Sequence, residues 1–261
     1  MDQISWGHPR KDSLLAREKL ANAASLGLLA DSAMIAHGRG EAFDYLIGER
    51  TTESAKLAIR EVASRLKAAE NPVISVNGNT VVLAGKQLIR VAAVVGCPIE
   101  VNIFYRTPSR VEGLLSLLGE QQDSVRKEQA PEGFDGNWGA SVSSVELFGS
   151  EEDGRIEGLE GPRSICSAKG IQAADTILVP LEDGDRCQAL VALGKEVLVI
   201  DLNPLSRTAI CANVTIVDEV ARAVEALLFE LVSNDLGPTD WNNHVALREA
   251  LETMAAASDR I

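Results

Sequence analysis

Residues 176–200 read TILVPLEDGDRCQALVALGKEVLVI and decide the fold class. The stretch begins and ends with continuous apolar runs, Thr176–Pro180 and Glu196–Ile200, and Asp185–Leu193 between them has helical spacing. Apolar runs without alternation are typical of strands buried on both faces, and parallel strands need a crossover that is usually a helix. The stretch therefore predicts a strand–helix–strand unit of a parallel sheet.

The same alternation extends through most of the chain. Further strands are expected at 73–76, 99–104, 144–148 and 214–217, and further helices at 13–29, 41–47, 52–70, 79–96, 107–118, 218–232 and 241–257. We predict one α/β domain (1–261) with a mostly parallel sheet and helices on both faces. Its parts are a helical N-terminal region (1–70), a core (71–232) with an acidic, irregular segment at about 120–170, and a C-terminal helical tail (233–261).

The charge balance limits the partners. The 261 residues include 25 Lys+Arg against 38 Asp+Glu, a net charge of −13, and only 8 of the basic residues are lysine. The negative electrostatic potential of a protein with this charge repels an anionic polymer, so nucleic-acid binding is not expected. An acidic, lysine-poor chain favours a halophilic protein that stays hydrated in concentrated salt, although an ordinary acidic cytosolic protein has a similar balance.

The chain also has the pattern of a cytoplasmic protein. Its four cysteines, Cys97, Cys166, Cys187 and Cys211, are far apart, which favours free thiols in a reducing compartment over disulfides or zinc. No apolar run approaches the roughly 18 residues of a membrane span, and Met1–Trp6 does not resemble a signal peptide. We therefore expect a cytoplasmic location and no membrane partner.

A glycine-flanked cluster, His37-Gly38-Arg39-Gly40, precedes a short helix expected at Glu41–Ile47. We interpret the cluster as a loop in which glycine lets the backbone approach a ligand and the helix start offers free N–H groups to an anion. A turn with a surface arginine and a satisfied histidine explains the same residues equally well.

Asn77-Gly78-Asn79 follows the strand at 73–76. Amide side chains both donate and accept hydrogen bonds, so they suit a polar substrate at the carboxyl end of a parallel strand. Taken alone, the sequence favours an Asn-Gly turn.

The strand at 176–180 is followed by a loop that is rich in carboxylates, Glu182-Asp183-Gly184-Asp185-Arg186. Its oxygens could hold Mg²⁺ or bind a ribose, and Arg186 could meet a phosphate. An acidic cap at a helix N-terminus explains Asp183 and Asp185 without any ligand.

The strand at 196–200 is likewise followed by polar residues, Asp201, Asn203, Ser206, Arg207 and Thr208, at an expected helix start. This composition suits nucleotide recognition, and it equally suits an ordinary helix cap.

Several well-known motifs are absent from the sequence. There is no G-x-x-x-x-G-K-[ST] run, and Phe43 occupies the place of the third glycine of G-x-G-x-x-G, which disfavours an NAD-dependent oxidoreductase. No catalytic Ser/His/Asp spacing or histidine cluster is visible. The polar clusters therefore predict a site for a phosphorylated, nucleotide-like ligand, without defining a reaction.

These clusters occur in an order that resembles the archaeal phosphopantothenate synthetase family, the 4-phosphopantoate–β-alanine ligases. The similarity extends from about residue 5 to 232. It is carried by SxxHPR (5–10), Arg17-Glu18, HGRGEAFDYLIGER (37–50), NPVISVNGNT (71–80), EVNIFYRTP (100–108), VPLEDGDRC (179–187), VIDLNPLSRTAI (199–210) and VTIVDE (214–219).

The resemblance implies a homodimer with a Rossmann-like sheet. It implies condensation of 4-phosphopantoate with β-alanine at the expense of ATP, through an acyl-adenylate, on the archaeal route to coenzyme A. The products would be 4′-phosphopantothenate, AMP and pyrophosphate. A non-catalytic nucleotide sensor of the same fold is the alternative.

The resemblance also implies roles for individual residues. Arg17, Arg39 and His37 are the expected catalytic residues, with Arg17 and Arg39 on the ATP phosphates. The nucleoside and Mg²⁺ are expected at Glu182, Asp183, Gly184, Asp185 (the metal ligand), Arg186, Cys187, Asp201, Leu202 and Asn203, and phosphates also at Ser206, Arg207 and Thr208. Phosphopantoate is expected at His37, Gly38, Asn77, Gly78, Asn79 and Arg106.

Three regions depart from the family pattern. Gly158-Leu-Glu-Gly-Pro-Arg163 stands where the family has a more charged Gly-Leu-Glu-x-x-Arg-Gly segment, so no contact is assigned to it. The acidic stretch 121–144 and the tail after Val232 have no clear counterpart.

Overall fold

The computed structural model describes residues 7–8 and 10–261, so the parts of the N-terminal motif on 1–6 and Pro9 lie outside the described residues. The described chain contains eight strands: β1 (Pro72–Val76), β2 (Ile99–Val101), β3 (Leu147–Phe148), β4 (Gly154–Arg155), β5 (Ile165–Cys166), β6 (Thr176–Pro180), β7 (Glu196–Ile200) and β8 (Val214–Ile216). Six of them form one sheet of order β3-β2-β1-β6-β7-β8. All neighbours in this sheet are parallel, whereas β4 and β5 form a separate antiparallel pair.

The strand order reverses between β1 and β6. From β1 the chain adds β2 and β3 on one side, and it then returns to add β6, β7 and β8 on the other side. Pro72–Ile74 pair directly with Thr176–Leu178 at this junction. In doubly wound sheets the crevice beyond the carboxyl ends of two such strands is where ligands bind. The predicted α/β, mostly parallel architecture is confirmed.

Helices account for most of the remaining described chain. They are α1 (Lys11–Ser25), α2 (Asp31–Ile47), α3 (Glu53–Ala68), α4 (Gly78–Val95), α5 (Pro108–Arg126), α6 (Trp138–Ser143), α7 (Gly184–Ala192), α8 (Arg207–Cys211), α9 (Val220–Ser233) and α10 (Asn243–Ala255), with 3₁₀ turns at Pro162–Ser164 and Ala256–Arg260.

Alternate residues of the central strands pack into two separate cores. Leu178, Leu198 and Ile200 belong to a large core with α3, α4, α5 and α9. Ile177 and Val199 face the opposite way, into a core with α7 and the segment that contains β5. Because successive side chains of a strand point to opposite faces, the sheet is covered on both sides, as its continuous apolar strands predicted.

Several expected helix starts are confirmed by their caps. The Thr52 hydroxyl accepts a hydrogen bond from the Ala55 backbone N–H (3.2 Å), and Thr107 caps α5, with Pro108 at its first position. Asn77 and Ser206 cap α4 and α8 in the same way. Such caps satisfy N–H groups that have no partner inside the helix.

The structure corrects the prediction of a loop at His37-Gly38-Arg39-Gly40. Residues 31–47 form the continuous helix α2, so the free N–H groups lie at Asp31 and not at Glu41. Neither glycine has a positive φ. A helical glycine costs only about 1 kcal/mol relative to alanine, which packing outweighs.

Other boundaries also differ. The first helix ends at Ser25 rather than Leu29, α5 continues to Arg126 rather than ending at Leu118, and the strand expected at 99–104 ends at Val101. Asn77–Asn79 begin α4, so the Asn-Gly turn is wrong.

Two polar side chains, one on β2 and one directly after it, attach the segment at 150–170 to the sheet. The Glu100 carboxylate accepts hydrogen bonds from the backbone N–H groups of Ser167 (3.0 Å) and Ile171 (2.8 Å), and Asn102 donates to the Ile165 carbonyl (2.8 Å). Burial raises the pKa of Glu100 to about 6. A Cβ at Gly170 would lie 2.1 Å from the Glu100 carboxylate, so a side chain there would displace this carboxylate from its hydrogen bonds.

A buried amide helps to dock the C-terminal tail, beside the apolar contacts of Leu247, Ala250 and Met254. Asn243 donates to the carbonyls of Ala209 (2.8 Å) and Ala212 (3.0 Å) and accepts from the Thr215 backbone N–H (2.8 Å). This contact fastens α10 to α8 and β8 beside the carboxyl edge of the sheet.

Within the described residues, α4 is the one helix long and apolar enough, by length and composition, to cross a membrane. The sequence predicts this helix at 79–96, and it did not count as a continuous apolar run because Lys86 and Arg90 interrupt it. Most of α4 is buried inside the protein, where it packs on α5 and α9.

Candidate active site

A cavity of about 1170 Å³ opens beyond the carboxyl ends of β1 and β6. Residues of α1, α2, α4, α5, α8 and α9 contribute to its walls. The structure brings together at this cavity the majority of the predicted site residues: His37, Arg39, Asn77, Gly78, Asn79, Glu182, Asp183, Gly184, Arg186, Leu202, Ser206, Arg207 and Thr208.

The remaining predicted residues are not among those that line the cavity. These are Arg17, Gly38, Arg106, Asp185, Cys187, Asp201 and Asn203. Most of them are adjacent to lining residues and hold those residues in place, as their contacts show.

The Arg17 guanidinium binds a neighbouring helix. It donates to the Glu41 carboxylate from Nε (3.1 Å) and Nη2 (2.6 Å), which joins α1 to α2. Burial acts to raise the pKa of Glu41, but the hydrogen bonds from Arg17 and Ser13 outweigh it and lower that pKa. Arg17 therefore supports a wall of the cavity, and its predicted contact with ATP phosphates has no geometric support.

Arg106 also serves a loop instead of the cavity. Its guanidinium donates to the Gly149 carbonyl (2.7 Å) and to Glu152 (3.3 Å), and its side chain is only 8% exposed. Another arginine of the same region, Arg110 at the start of α5, does line the cavity.

Asn77 connects the two strands at the point where their order reverses. Its side-chain N–H₂ donates to the Leu181 carbonyl (2.9 Å), just beyond β6, while its oxygen accepts from the Thr80 backbone N–H (3.1 Å) and hydroxyl (3.0 Å). Leu181 adopts a positive φ of 58°, which is strained for a non-glycine residue. The Asn77 side chain is thus used within the protein, and it positions the N-terminus of α4.

Glu182 and Arg186 form a buried ion pair on the loop after β6. Their side chains are 6% and 4% exposed, and Arg186 also donates to the Ser75 hydroxyl (2.9 Å). Burial raises the pKa of Glu182, and Arg186 counteracts this shift. The pair joins the loop to β1 across the strand-order reversal.

The other carboxylates of this loop are also paired with arginines. Asp183 binds Arg163, and Asp185 binds Arg207 (2.7 Å) and lies 3.6 Å from Arg163. No group of three His, Cys, Asp or Glu side chains that could hold a metal occurs in the described residues. The loop therefore does not fit a Mg²⁺ held by protein carboxylates, and the role expected of Asp185 finds no support in this geometry.

Close packing explains the glycine between these carboxylates. A Cβ at Gly184 would lie 2.7 Å from the Cβ of Arg207, so a side chain there would separate α7 from α8. Cys187 is buried behind this contact, with its thiol 3.7 Å from the Thr208 carbonyl.

Asp201 and Asn203 shape the turn that follows β7. The Asp201 carboxylate accepts hydrogen bonds from the Asn203 backbone N–H (2.9 Å) and the Ser206 hydroxyl, and Asn203 accepts from the Leu205 N–H (3.0 Å). Burial raises the pKa of Asp201, against these hydrogen bonds. The turn presents Ser206, Arg207 and Thr208 to the cavity.

The cavity-facing side of α2 carries charge of both signs. Arg39 is exposed at the cavity and has no intramolecular partner within the described part of the chain. Five residues further along α2, Asp44 binds Arg222 (2.6 Å), and Arg222 also binds the buried Asp218. Burial raises the pKa of Asp218, and Arg222 opposes the shift.

Unpaired polar atoms are concentrated at the cavity. Nine buried side-chain atoms of the described residues have no hydrogen-bond partner, and five of them belong to cavity residues: Arg10 Nε, His37 Nε2, Asn79 Oδ1, Arg110 Nε and Arg186 Nε. Buried polar groups are rarely left unpaired without a ligand or water to satisfy them. The cavity is therefore built for a polar ligand.

The sequence analysis missed three arginines. Arg163 comes from the segment to which no contact was assigned; it lies 4.6 Å above the Phe104 ring and pairs with Asp183. Arg110 and Arg222 also line the cavity. Arg110 lies three residues after Thr107, and the predicted helix cap at Thr107 could have placed Arg110 near the edge of the sheet. No sequence pattern near Arg163 or Arg222 indicated a position at the site.

The parallel sheet, its strand order and the cavity at the reversal define a doubly wound α/β protein with a ligand site at its switch point. A family model described as phosphopantothenate/pantothenate synthetase matches residues 54–257. The chain belongs to this family and is a ligase. The match includes α10, beyond Val232, where the sequence analysis ended the resemblance.

Curated relatives agree with the family match. A protein from Methanosarcina mazei named 4-phosphopantoate–beta-alanine ligase is 46% identical over 224 residues, which cover 86% of this chain and 80% of the relative. Proteins of the same name from Thermococcus onnurineus (46% identical, 85% and 78% covered) and Methanospirillum hungatei (45% identical, 85% and 82% covered) are similar over comparable lengths.

The buried pair supplies a stability prediction. Arg186→Met leaves the Glu182 carboxylate buried without a counter-charge, so the free energy of unfolding falls by about 3–5 kcal/mol in urea titrations. The double variant Glu182→Leu/Arg186→Met restores most of this loss. Arg207→Met, which removes an exposed ion pair, changes the free energy of unfolding by less than about 1 kcal/mol. Equal losses for Arg186→Met and Arg207→Met would contradict this account of the loop.

Proposed function

We propose that this protein condenses 4-phosphopantoate with β-alanine, using ATP and forming an acyl-adenylate, with release of AMP and pyrophosphate. The observation that carries the proposal is the cavity, where arginines from α2, α5, α8 and the 163 turn converge with two helix N-termini. Its lining suits crowded anions, and the curated relatives from archaea carry the matching name. The product, 4′-phosphopantothenate, would serve coenzyme A synthesis.

We assign ATP to the side of the cavity formed by the loops after β6 and β7. Ser206, Arg207 and Thr208 present donors at this wall, and Leu202 supplies an apolar surface for the base. Arg39, exposed and without a partner among the described residues, is the cation that would contact the phosphates from the opposite wall. Glu182, Asp183, Gly184, Asp185, Arg186, Cys187, Asp201 and Asn203 position this wall rather than the nucleotide itself.

We assign the anionic groups of 4-phosphopantoate to the start of α4. The N-terminus of this 18-residue helix follows β1, and the backbone N–H groups of Gly78 and Asn79 lie at the cavity. A helix N-terminus favours anions because its N–H groups are free and its dipole is positive there. Arg110, rather than Arg106, supplies the nearby guanidinium.

The charges of this site suit adenylation. ATP and the carboxylate of phosphopantoate are both anions, and guanidinium groups reduce their repulsion and stabilise the charge that develops on phosphorus. Holding the two reactants in one cavity supplies a further large part of the rate enhancement. We propose that Mg²⁺ enters with ATP, as part of the substrate, because the three carboxylates of the loop after β6 are already paired with arginines.

We also propose that the enzyme is a cytoplasmic homodimer. Its four cysteines are free thiols, which suits a reducing compartment. Ile35 and Leu46 are exposed by 67% and 42%, eleven positions apart on α2, so they share one helix face that a second copy could cover. Analytical ultracentrifugation tests this, and a monomer at micromolar concentration would contradict it.

Pyrophosphate release tests the reaction. The purified protein is assayed in molar KCl with ATP, 4-phosphopantoate and β-alanine, and each substrate is omitted in turn. We expect full turnover, with AMP as the nucleotide product, only when all three are present. ADP as the product would instead indicate an acyl-phosphate enzyme, and no turnover would favour the nucleotide sensor.

A matched pair of arginine variants ties this activity to the cavity. Arg39→Ala removes a charge-assisted contact worth about 1.5–3 kcal/mol, so turnover in the same assay falls more than about tenfold. Arg50→Ala removes an exposed arginine of a separate groove and leaves turnover unchanged. Wild-type turnover in Arg39→Ala would show that Arg39 is not part of the site.

Salt dependence tests the proposed halophilic character. Self-repulsion from a net charge of −13 opposes the compact state, and molar salt reduces the screening length to about 3 Å. We therefore expect both activity and the urea midpoint of unfolding to rise between dilute buffer and molar KCl. An activity optimum in dilute buffer would contradict the halophilic proposal.

A further inference from the structure

The start of α4 places an asparagine against α2, one helical turn from a histidine at the cavity. The Asn79 side-chain N–H₂ donates to the Ala33 carbonyl (2.9 Å), and Ala33 precedes His37 by four residues, so both lie on the same helix face. Ala33, His37 and Asn79 all line the cavity. Asn79 is therefore fixed against α2 within one helical turn of the imidazole.

Both side chains present an acceptor that has no partner. Asn79 is only 7% exposed, and its Oδ1 is buried without a hydrogen bond from any described residue; the same holds for His37 Nε2. Donation to the Ala33 carbonyl uses the amide N–H₂ of Asn79, which leaves its oxygen free for a ligand. In a neutral imidazole with its proton on Nδ1, Nε2 is likewise a lone-pair acceptor.

The surroundings of His37 favour the neutral form. Burial lowers the pKa of the imidazole, and Arg17 of α1 acts in the same direction. Two carboxylates oppose them, Glu41 on α2 itself and Glu219 at the start of α9. Near pH 7 the side chain is therefore available to accept a proton.

Unpaired acceptors are rare in this cavity: of its five buried side-chain atoms without a partner among the described residues, three are arginine nitrogens, which donate, and the other two are His37 Nε2 and Asn79 Oδ1. ATP and 4-phosphopantoate are anions that offer mainly acceptors, and these groups match the arginines and helix N-termini. The ammonium of β-alanine is the one group among the three substrates that brings a cationic N–H donor with several protons. It matches two acceptors that carry no charge of their own.

We propose that His37 Nε2 and Asn79 Oδ1 form the subsite for the amino group of β-alanine; this assignment rests on the function proposed above. His37 takes the proton that the ammonium form of this group must lose before it can attack. This separates the side chains of His37 and Asn79 from phosphopantoate, to which the family resemblance had assigned these residues, and leaves the Asn79 backbone N–H for its anionic groups. It also supplies a general base for the second half-reaction.

Amide formation consumes the β-alanine ammonium and the acyl-adenylate and releases AMP and two protons. The β-alanine ammonium gives one proton to His37 Nε2, and the freed nitrogen lone pair forms a bond to the carbonyl carbon of the acyl-adenylate. The bond between that carbon and the AMP oxygen breaks, and its electron pair leaves on the AMP phosphate. The nitrogen then loses its second proton to water, which gives the neutral amide.

Half-reactions separate this role from adenylation. His37→Gln is assayed for phosphopantoate-dependent exchange of pyrophosphate into ATP, without β-alanine, and for complete turnover with β-alanine. Loss of a general base costs about 10²-fold or more, so β-alanine turnover falls by that factor while exchange stays within about twofold of the wild type. Hydroxylamine, which is unprotonated at neutral pH, still captures the acyl group in this variant.

A histidine on another helix provides the matched control for His37. His244→Gln, an exposed histidine on α10, leaves both half-reactions unchanged. An equal fall in exchange and turnover in His37→Gln, or no fall in either, would overturn the proposal. Absence of exchange in the wild type would instead contradict adenylation itself, so the two failures are distinguishable.

Asn79 is tested separately through substrate affinity. Asn79→Leu removes the acceptor at similar side-chain size, so the KM for β-alanine rises at least about fivefold while the KM for 4-phosphopantoate in the exchange reaction is unchanged. A higher KM for 4-phosphopantoate with unchanged β-alanine affinity would overturn the assignment and return Asn79 to the phosphopantoate subsite.

Discussion

The hydrogen bond from the Asn77 amide to the Leu181 carbonyl (2.9 Å) joins the two strands between which the chain changes direction. Strands β1 and β6 are neighbours in the sheet, but their following segments diverge, β1 into α4 and β6 into the loop before α7. A crevice is the necessary result of this divergence. Because Asn77 also caps α4, one side chain fixes both the width of the crevice and the orientation of the free helix N-terminus in it.

Charge at this crevice is divided into two groups. Glu182 with Arg186, Asp183 with Arg163, Asp44 with Arg222 and Glu41 with Arg17 are paired within the protein and hold the walls together. Other groups at the cavity have no partner among the described residues, and they include the Arg39 guanidinium and the buried atoms His37 Nε2 and Asn79 Oδ1. The first group makes the cavity rigid before substrates arrive, and the second group is free to bind them.

The parts of this fold that depend on local pattern could be predicted from the sequence. Continuous apolar runs identified β1, β6 and β7, and the Thr52 and Thr107-Pro108 caps identified the starts of α3 and α5, because each signal lies within a few residues. The HGRG segment was mistaken for a loop, since two glycines in a helix leave no local sign of the packing that stabilises it. Arg17 and Arg106 were assigned to substrates because their partners, Glu41 and Gly149, lie 24 and 43 positions away and cannot be paired from sequence.

Hydrogen–deuterium exchange on the whole protein tests most directly whether the substrates meet at the switch point. With ATP and 4-phosphopantoate bound, we expect slower exchange at the amides of 77–80, 182–186 and 206–208, three segments that are far apart in sequence and meet at the crevice. The amides of 246–254 on α10 serve as the internal reference and keep their exchange rates. Protection confined to one of the three segments, or located on the opposite edge of the sheet, would contradict a shared site at the carboxyl ends of β1 and β6.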